Sequence, residues 1–412
     1  MEKALGIYIH IPFCRSRCLY CDFCSSVRRE ADMSRYEAAL RRHIREYAPQ
    51  LDGYIIDTVY FGGGTPSIFG AARLIAVLNE LKRRGHVLRD AEITVEANPD
   101  SVDKGEFTRL KNAGFNRVSL GVQSASDGDL RELGRVHSFA DAEKAMADIR
   151  AAGFGNVSID MMYGLPNQQV SQWSDSLVKA LSLKPEHISC YGLKIEEGTP
   201  FYILRDSPFL PDDDTQADMY LYAVDALSRF GYRQYEISNF AKRGMHSRHN
   251  LRYWTGGEYI GLGASAHSFI GSERYAIVSD LDKYMEGIEA DENVIETSET
   301  VSGFDLAAEY LMLRLRTKHG ISAEEYHDIY KGGIRYVLEL LSTYKDNGWA
   351  VYKDGRWSLT PEGFLLSNTL IGEILDAQQR ERTETVRPWS HVPEDFQTTL
   401  FGRERNIIGH VF

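Results

Sequence analysis

The chain has 412 residues, 43% of them apolar and 26% charged, with a formal net charge of −12. That length suits a large α/β domain plus smaller ones, and the apolar share is enough for a buried core rather than a disordered polymer. The acidic balance comes without a basic stripe and excludes a general nucleic-acid binder, because phosphate neutralisation needs clustered Lys and Arg.

The opening residues, MEKALGIYIHIPF, alternate like a strand and lack the apolar stretch and cleavage site of a signal peptide. No later run reaches the ~18 consecutive apolar residues that a bilayer span needs. A cytoplasmic location is expected.

Immediately after this strand, four of the five cysteines fall within eleven residues: Cys14, Cys18, Cys21 and Cys24. Such crowding suits metal capture better than a disulfide framework. A C-x3-C-x2-C spacing lets three thiolates on a tight loop converge on one face of a cubane cluster. It favours iron–sulfur over zinc, which calls for two C-x2-C pairs with a longer gap. Cys24 is a candidate fourth thiol. Cys190, in HISCYGL, reads as a buried core thiol.

Further along, period-2 apolar runs place strands at 6–11, 58–61, 92–96, 117–122, 156–160 and 187–191. Amphipathic helices alternate with them at 34–47, 71–83, 104–113, 140–152 and 170–183. Strand-then-helix units imply parallel pairing with right-handed crossovers, in either a doubly wound sheet or a barrel. In both, ligands gather at the carboxyl ends of the strands. That edge carries the cysteines after the first strand, Gly62, Gly63 and Gly64 after the second, and Asn98 and Pro99 after the third. Gln123 follows the fourth strand, and Gly164, Leu165 and Pro166 follow the fifth.

Residues 235–269 are rich in Gly, His, Asn and aromatics, with little periodicity, and read as a loop-rich segment. Helical text resumes near 303 and is followed by NGWAVYKDGRWSLTP, a hairpin turning at Asp354 and Gly355. The division expected is a core domain over 1–240, a loop-rich linker over 241–300, a winged-helix-like domain over 301–376 and a polar tail over 377–412. Residues 301–376 hold 11 acidic against 8 basic side chains, which points away from DNA and toward packing or partner docking.

With Tyr8-Ile9-His10-Ile11-Pro12-Phe13 leading into Cys14 and Tyr20-Cys21-Asp22-Phe23 leading out, the sequence resembles the radical SAM superfamily. The branch is that of oxygen-independent coproporphyrinogen III oxidases and the haem chaperones related to them. The resemblance runs from Gly6 to about Gly271 and more weakly through the C-terminal domain. It implies an α/β fold, a partial (β/α)6 TIM-like barrel with a C-terminal winged-helix-like domain. It also implies a [4Fe–4S] cluster on Cys14, Cys18 and Cys21, with S-adenosylmethionine (SAM) at the iron they leave open. Tyr8, Gly63, Gly64, Thr65, Glu96, Gln123, Arg135 and Asp160 become SAM contacts on this resemblance. In such proteins an electron from the reduced cluster splits SAM to a 5′-deoxyadenosyl radical, and the implied donor is a reduced flavodoxin- or ferredoxin-type protein.

Within that branch the oxidases typically carry a fourth cysteine two residues after the third, and a longer leader ahead of the loop. Phe23 stands at the cysteine's place here. Cys24 lies one residue further, where a side chain on a tight loop turns elsewhere, so it is expected not to ligate. The stretch His249-Asn250-x-x-Tyr253-Trp254 resembles the haem-binding signature of the chaperones, with His249 as iron ligand and Asn250 and Tyr253 beside it. Imidazole is a usual haem ligand and flanking aromatics can stack on a porphyrin. The expectation is a haem chaperone that hands haem to an acceptor protein. A coproporphyrinogen III oxidase, and an enzyme of methyl transfer or ring opening on another tetrapyrrole, are the alternatives. No catalytic residue is assigned, no nucleic acid is expected as partner, and peripheral membrane contact is left open.

Overall fold

The structure, a computed structural model, describes residues 2–27 and 30–385. Six strands carry the first unit: β1 (Lys3–Ile11), β2 (Tyr54–Gly63), β3 (His86–Ala97), β4 (Arg117–Gln123), β5 (Val157–Tyr163) and β6 (His187–Gly192). Each is parallel to the next. Parallel neighbours need long crossovers. The helices Glu30–Tyr47, Ala71–Arg84, Lys104–Ala113, Phe139–Ala151 and Val170–Leu181 supply them.

The sheet then continues past both ends of this set. Its further strands are β7 (Arg233–Gln234), β8 (Asn239–Ala241), β9 (Tyr259–Leu262), β10 (His267–Ile270), β11 (Glu273–Ile277) and β12 (Ile295–Thr300). Strand β8 adds antiparallel to β6, and β9 adds parallel to β1. The resulting order, β12-β11-β10-β9-β1-β2-β3-β4-β5-β6-β8-β7, does not close on itself. The span read as a loop-rich linker, 241–300, holds short sheet-edge strands and the helix Leu281–Ala290. Strands of three to six residues are too short to announce a period.

Alternation along the six parallel strands sorts side chains onto two faces. Ile7, Ile9, Val59, Phe61, Ile93, Val95, Val118, Leu120, Val157 and Ile159 share one buried apolar core with Tyr36, Leu40, Leu74, Leu78, Phe107, Ile149 and Leu177 of the crossover helices. The opposite face is polar: Tyr8, Thr58, Tyr60, Glu92, Glu96, Arg117, Ser119, Asp160 and His187 lie on it. A barrel lined by ionisable side chains departs from the branched aliphatic filling usual for the fold.

Residues 1–249 with 257–301 form this first unit, and residues 250–256 with those from Ser302 onward form a second. The second unit contains the helices Gly303–Arg314, Ala323–Tyr330, Arg335–Asp346, Pro361–Leu365 and Ser367–Thr385, with the hairpin β13 (Ala350–Lys353) and β14 (Arg356–Leu359). Asp354 and Gly355 turn the hairpin with φ of 51° and 77°, the left-handed pair of a type I′ turn. Ile321 pairs with Trp357 to extend it. The tail expected from residue 377 begins as helix up to Thr385, and its remainder lies outside the described residues. Among the described residues no helix is long and apolar enough to cross a membrane.

Candidate functional site: a cysteine loop over a polar sheet face

After β1 the chain makes a loop that its own backbone closes: Cys14 N–H donates to the Ser26 carbonyl (3.1 Å) and Ser26 N–H to that of Pro12 (2.8 Å). The middle of the loop is tied to the segments that follow β4 and β6, with Leu19 N–H on the Leu133 carbonyl and Phe201 N–H on that of Leu19. Burial pushes the Cys18 thiol up, and the Cys14 charge adds to it. Cys21 is raised to about 11, first by burial and then by Cys18 and Cys14. Cys24 answers to other neighbours. Burial raises its thiol while Ser265 and Arg17 lower it, and its Sγ donates to the Ser279 carbonyl at 3.3 Å.

Cys14, Cys18 and Cys21 therefore share one field and Cys24 faces away from it. The floor under them is glycine for a steric reason. A Cβ on Gly64 would stand 2.7 Å from the Phe13 carbonyl oxygen and 3.0 Å from Cys14 Sγ. Among the described residues no three His, Cys, Asp or Glu side chains are gathered to hold a single metal ion. A cubane makes no such demand, since its three thiolates bind three different irons. A loop of three mutually interacting thiols over a glycine cradle fits a cluster of that kind.

From Cys14 a chain of polar contacts crosses the strand ends. Thr65 Oγ1 donates toward Cys14 Sγ (3.6 Å), Asn98 Nδ2 donates to Thr65 Oγ1 (3.1 Å), and Arg135 Nη1 donates to Asn98 Oδ1 (2.9 Å). Arg135 Nη2 then reaches the Tyr20 phenol at 2.7 Å, back inside the cysteine loop. Arg135 comes into place because Gly134, at φ 74°, reverses the chain before Ser138 starts the helix Phe139–Ala151 with a capping box. The Nε of Arg135 is buried without a protein acceptor, which leaves a donor for a ligand. Gln123 sits at a register irregularity in β4 with φ 67°. Asn98 Oδ1 and Gln123 Nε2 both lie about 3 Å from where a Gly121 Cβ would be.

A second set of contacts descends from the rim. Glu96 accepts from Gly63 N–H (3.1 Å) and from the Tyr60 phenol (2.7 Å). Burial raises its carboxyl to about 7, against the pull of Tyr60, with Asp160 adding to the rise. Asp160 is also raised, first by burial, and the Ser119 hydroxyl donates to it at 3.2 Å. Tyr8 stacks on Tyr60 at 6.2 Å. All eight residues read as SAM contacts thus belong to this rim or to the polar face directly beneath it.

His249 lies deeper, against the same polar face. It is 1% exposed, its ring stacks on Tyr60 at 5.2 Å, and its Nδ1 meets Thr58 Oγ1 at 2.9 Å. Glu92 accepts from the backbone N–H of both Arg248 and His249 at 3.0 Å, and so caps the helix Arg248–Trp254 that carries Asn250 and Tyr253. Its imidazole faces the polar lumen rather than the surface.

Three residues of the site carry no assignment in the sequence. His10 bonds Tyr8 through Nδ1 (3.0 Å) and the Cys24 carbonyl through Nε2 (2.9 Å). Its signal is a polar side chain in phase with Tyr8 on an otherwise apolar strand. Asn98 is legible only as a rim residue, and Tyr20 only as a flank of Cys21. A cavity of about 510 Å³ lies in the second unit beside His327, Ile334 and Leu338. It contains none of the cysteine chemistry.

Known proteins resemble this chain along most of its length. The radical SAM superfamily model matches residues 8–179, and that of the HemN C-terminal domain matches residues 301–366. The protein named heme chaperone HemW in Bacillus subtilis (strain 168) is 34% identical over 372 residues, covering 89% of this chain and 98% of that one. Its namesake in Escherichia coli (strain K12) is 33% identical over 374 residues, covering 89% and 97%. A bovine mitochondrial protein, radical S-adenosyl methionine domain-containing protein 1, is 37% identical over 79% of this chain and 76% of its own length. The fold is shared with coproporphyrinogen III oxidase (HemN) from Escherichia coli, at a TM-score of 0.79, 22% identity and coverage of 91% and 90%. The chain belongs to the HemW family of radical SAM proteins.

Proposed function

We propose that this protein binds haem and transfers it to an acceptor protein, on a scaffold that holds a [4Fe–4S] cluster and SAM. The observation that carries the reading is similarity at about a third identity along nearly the full length of proteins named as heme chaperones. Phe23 in place of a further cysteine, and Cys24 bonded away from the other three thiols, favour it over the oxidase.

Cys14, Cys18 and Cys21 would hold the cluster; Tyr8, Gly63, Gly64, Thr65, Glu96, Gln123, Arg135 and Asp160 would hold SAM. When bound, the pair supplies one-electron reductive chemistry, for which a reduced flavodoxin- or ferredoxin-type donor is the fitting partner. The chain's own part is electrostatic. Arg135 offers a buried cation and a spare N–H, and Glu96 offers a carboxyl able to take a ribose hydroxyl or an ammonium. The stretch from His249 through Asn250 to Tyr253 is the haem element that family resemblance proposes, and ligation through the His249 ring requires the start of its helix to leave Glu92 and Thr58. The cytoplasm is the proposed location.

The test is transfer. Protein loaded with one haem and mixed with an apo-haemoprotein should lose its haem spectrum as the acceptor's spectrum grows, faster than free haem release allows. Transfer no faster than spontaneous release would count against a chaperone.

A further inference from the structure

Resting on the reading of His249 as haem ligand, we infer that Arg117 is the positioning residue that receives the Glu92 carboxylate when the start of the helix Arg248–Trp254 opens to free the His249 ring. Arg117 begins β4 and is 1% exposed, yet its Nε and Nη1 have no hydrogen-bond acceptor among the described residues. A buried guanidinium in that state is costly and calls for a reason.

The register of the strands decides which group is at hand. Arg117 stands beside Thr94 of β3, and Glu92 and Glu96 are the next side chains on that face to either side. Glu96 is spent on Gly63 N–H and the Tyr60 phenol, and Asp160 of β5 is held by the Ser119 hydroxyl. The Tyr235 phenol is engaged by His187 Nε2 and Ser247 N–H, and His187 Nδ1 by Ser158. Glu92 remains. Burial lowers the Arg117 pKa, the Glu92 charge does most to raise it, and the balance is upward.

Both Glu92 oxygens are nevertheless committed to the helix. Oε2 accepts from Arg248 N–H and Oε1 from His249 N–H, each at 3.0 Å. Thr58, its register partner on β2, meets the His249 ring at 2.9 Å. Arg248 is not available to a freed carboxylate, because its guanidinium faces Asp57 (3.6 Å) and the Asp90 carbonyl (3.1 Å). When the helix start withdraws to present the imidazole, Glu92 loses both amides, and alone it would be a buried, unpaired charge. Arg117 has the unspent N–H donors to take it, so the ion pair forms as the cap breaks and stabilises the open state of His249.

Haem titration of the full-length, cluster-reconstituted protein, read from the Soret band, tests this through a double-mutant cycle. Arg117→Met should weaken haem binding about tenfold at unchanged iron content, and Arg117→Lys, which keeps the cation, should recover most of the loss. In a Glu92→Gln background Arg117→Met should cost less than about twofold further, because no carboxylate is released. Equal losses in both backgrounds, or none in either, would overturn the inference. Should Arg117→Met fail to fold, amide hydrogen exchange on the wild-type protein decides: haem should speed exchange at Arg248 and His249, and undiminished protection with haem bound would overturn it. Those outcomes leave the haem-binding reading standing, whereas a wild-type protein that takes up no haem would sink both.

Discussion

Arg135 Nη2 donates to the Tyr20 phenol at 2.7 Å, joining the loop after β4 to the interior of the cysteine loop. The same guanidinium holds Asn98 through Nη1, so one side chain links the thiol loop to the third strand's end. A charged hydrogen bond of this kind contributes about 1.5–3 kcal/mol. Tyr20→Phe should therefore lower SAM affinity roughly tenfold while leaving iron and sulfide content at the wild-type level. Equal affinities in calorimetric titration would show that Arg135 does not need this partner.

Cluster assembly distinguishes the four loop cysteines. Replacing Cys14, Cys18 or Cys21 by Ala should each remove the brown chromophore after anaerobic reconstitution, and Cys24→Ser should keep it. Iron and sulfide assays on the four variants read this directly. A colourless Cys24→Ser protein would mean that its bond to Ser279 is broken on assembly.

Gly64 sets the height of the floor beneath Cys14. Gly64→Ala drives a methyl into the Phe13 carbonyl and the Cys14 sulfur, an overpacking that costs about 1–3 kcal/mol. Urea unfolding should show that loss, and reconstituted iron should fall with it. A variant as stable and as iron-rich as the parent would show that Gly64 does not support the Phe13 carbonyl and Cys14 so closely.

Glu96 makes stability depend on pH in a known direction. Its folded pKa of about 7 stands above the ordinary value near 4.3. The folded state therefore binds the extra proton, its advantage is complete below about pH 4, and it is lost as pH rises through about 7. Glu236, also raised to about 7 by burial, acts in the same window. Glu96→Gln should flatten only part of the decline, on the order of 3 kcal/mol at most. Denaturant midpoints from pH 4.5 to 8 measure it, and parallel curves for the two proteins would refute the burial argument. A SAM hydroxyl or ammonium on Glu96 favours the carboxylate, so SAM affinity should rise with pH over the same range.

Much of this was legible in the residues. The six parallel strands are long enough to show their period, and the rim residues break it at each carboxyl end. The cysteine spacing separates Cys24 by a single position, and the bond from its Sγ to Ser279 is the physical form of that shift. What sequence could not supply is long-range. β8 to β12 are only three to six residues long, and they exist because β1 and β6 leave edges to be paired. His249 carries a recognisable motif, yet only Thr58, Tyr60 and Glu92, distant in sequence, decide that its ring is enclosed.

Haem transport and porphyrinogen oxidation on a radical SAM scaffold leave different products. Anaerobically reconstituted protein, supplied with SAM and reductant, should be offered haem and coproporphyrinogen III in separate reactions, with haem binding followed by absorbance and tetrapyrrole masses by mass spectrometry. A haem chaperone should bind about one haem per chain and leave coproporphyrinogen III unchanged. Loss of carbon dioxide from coproporphyrinogen III, in a protein that takes up no haem, would contradict that reading.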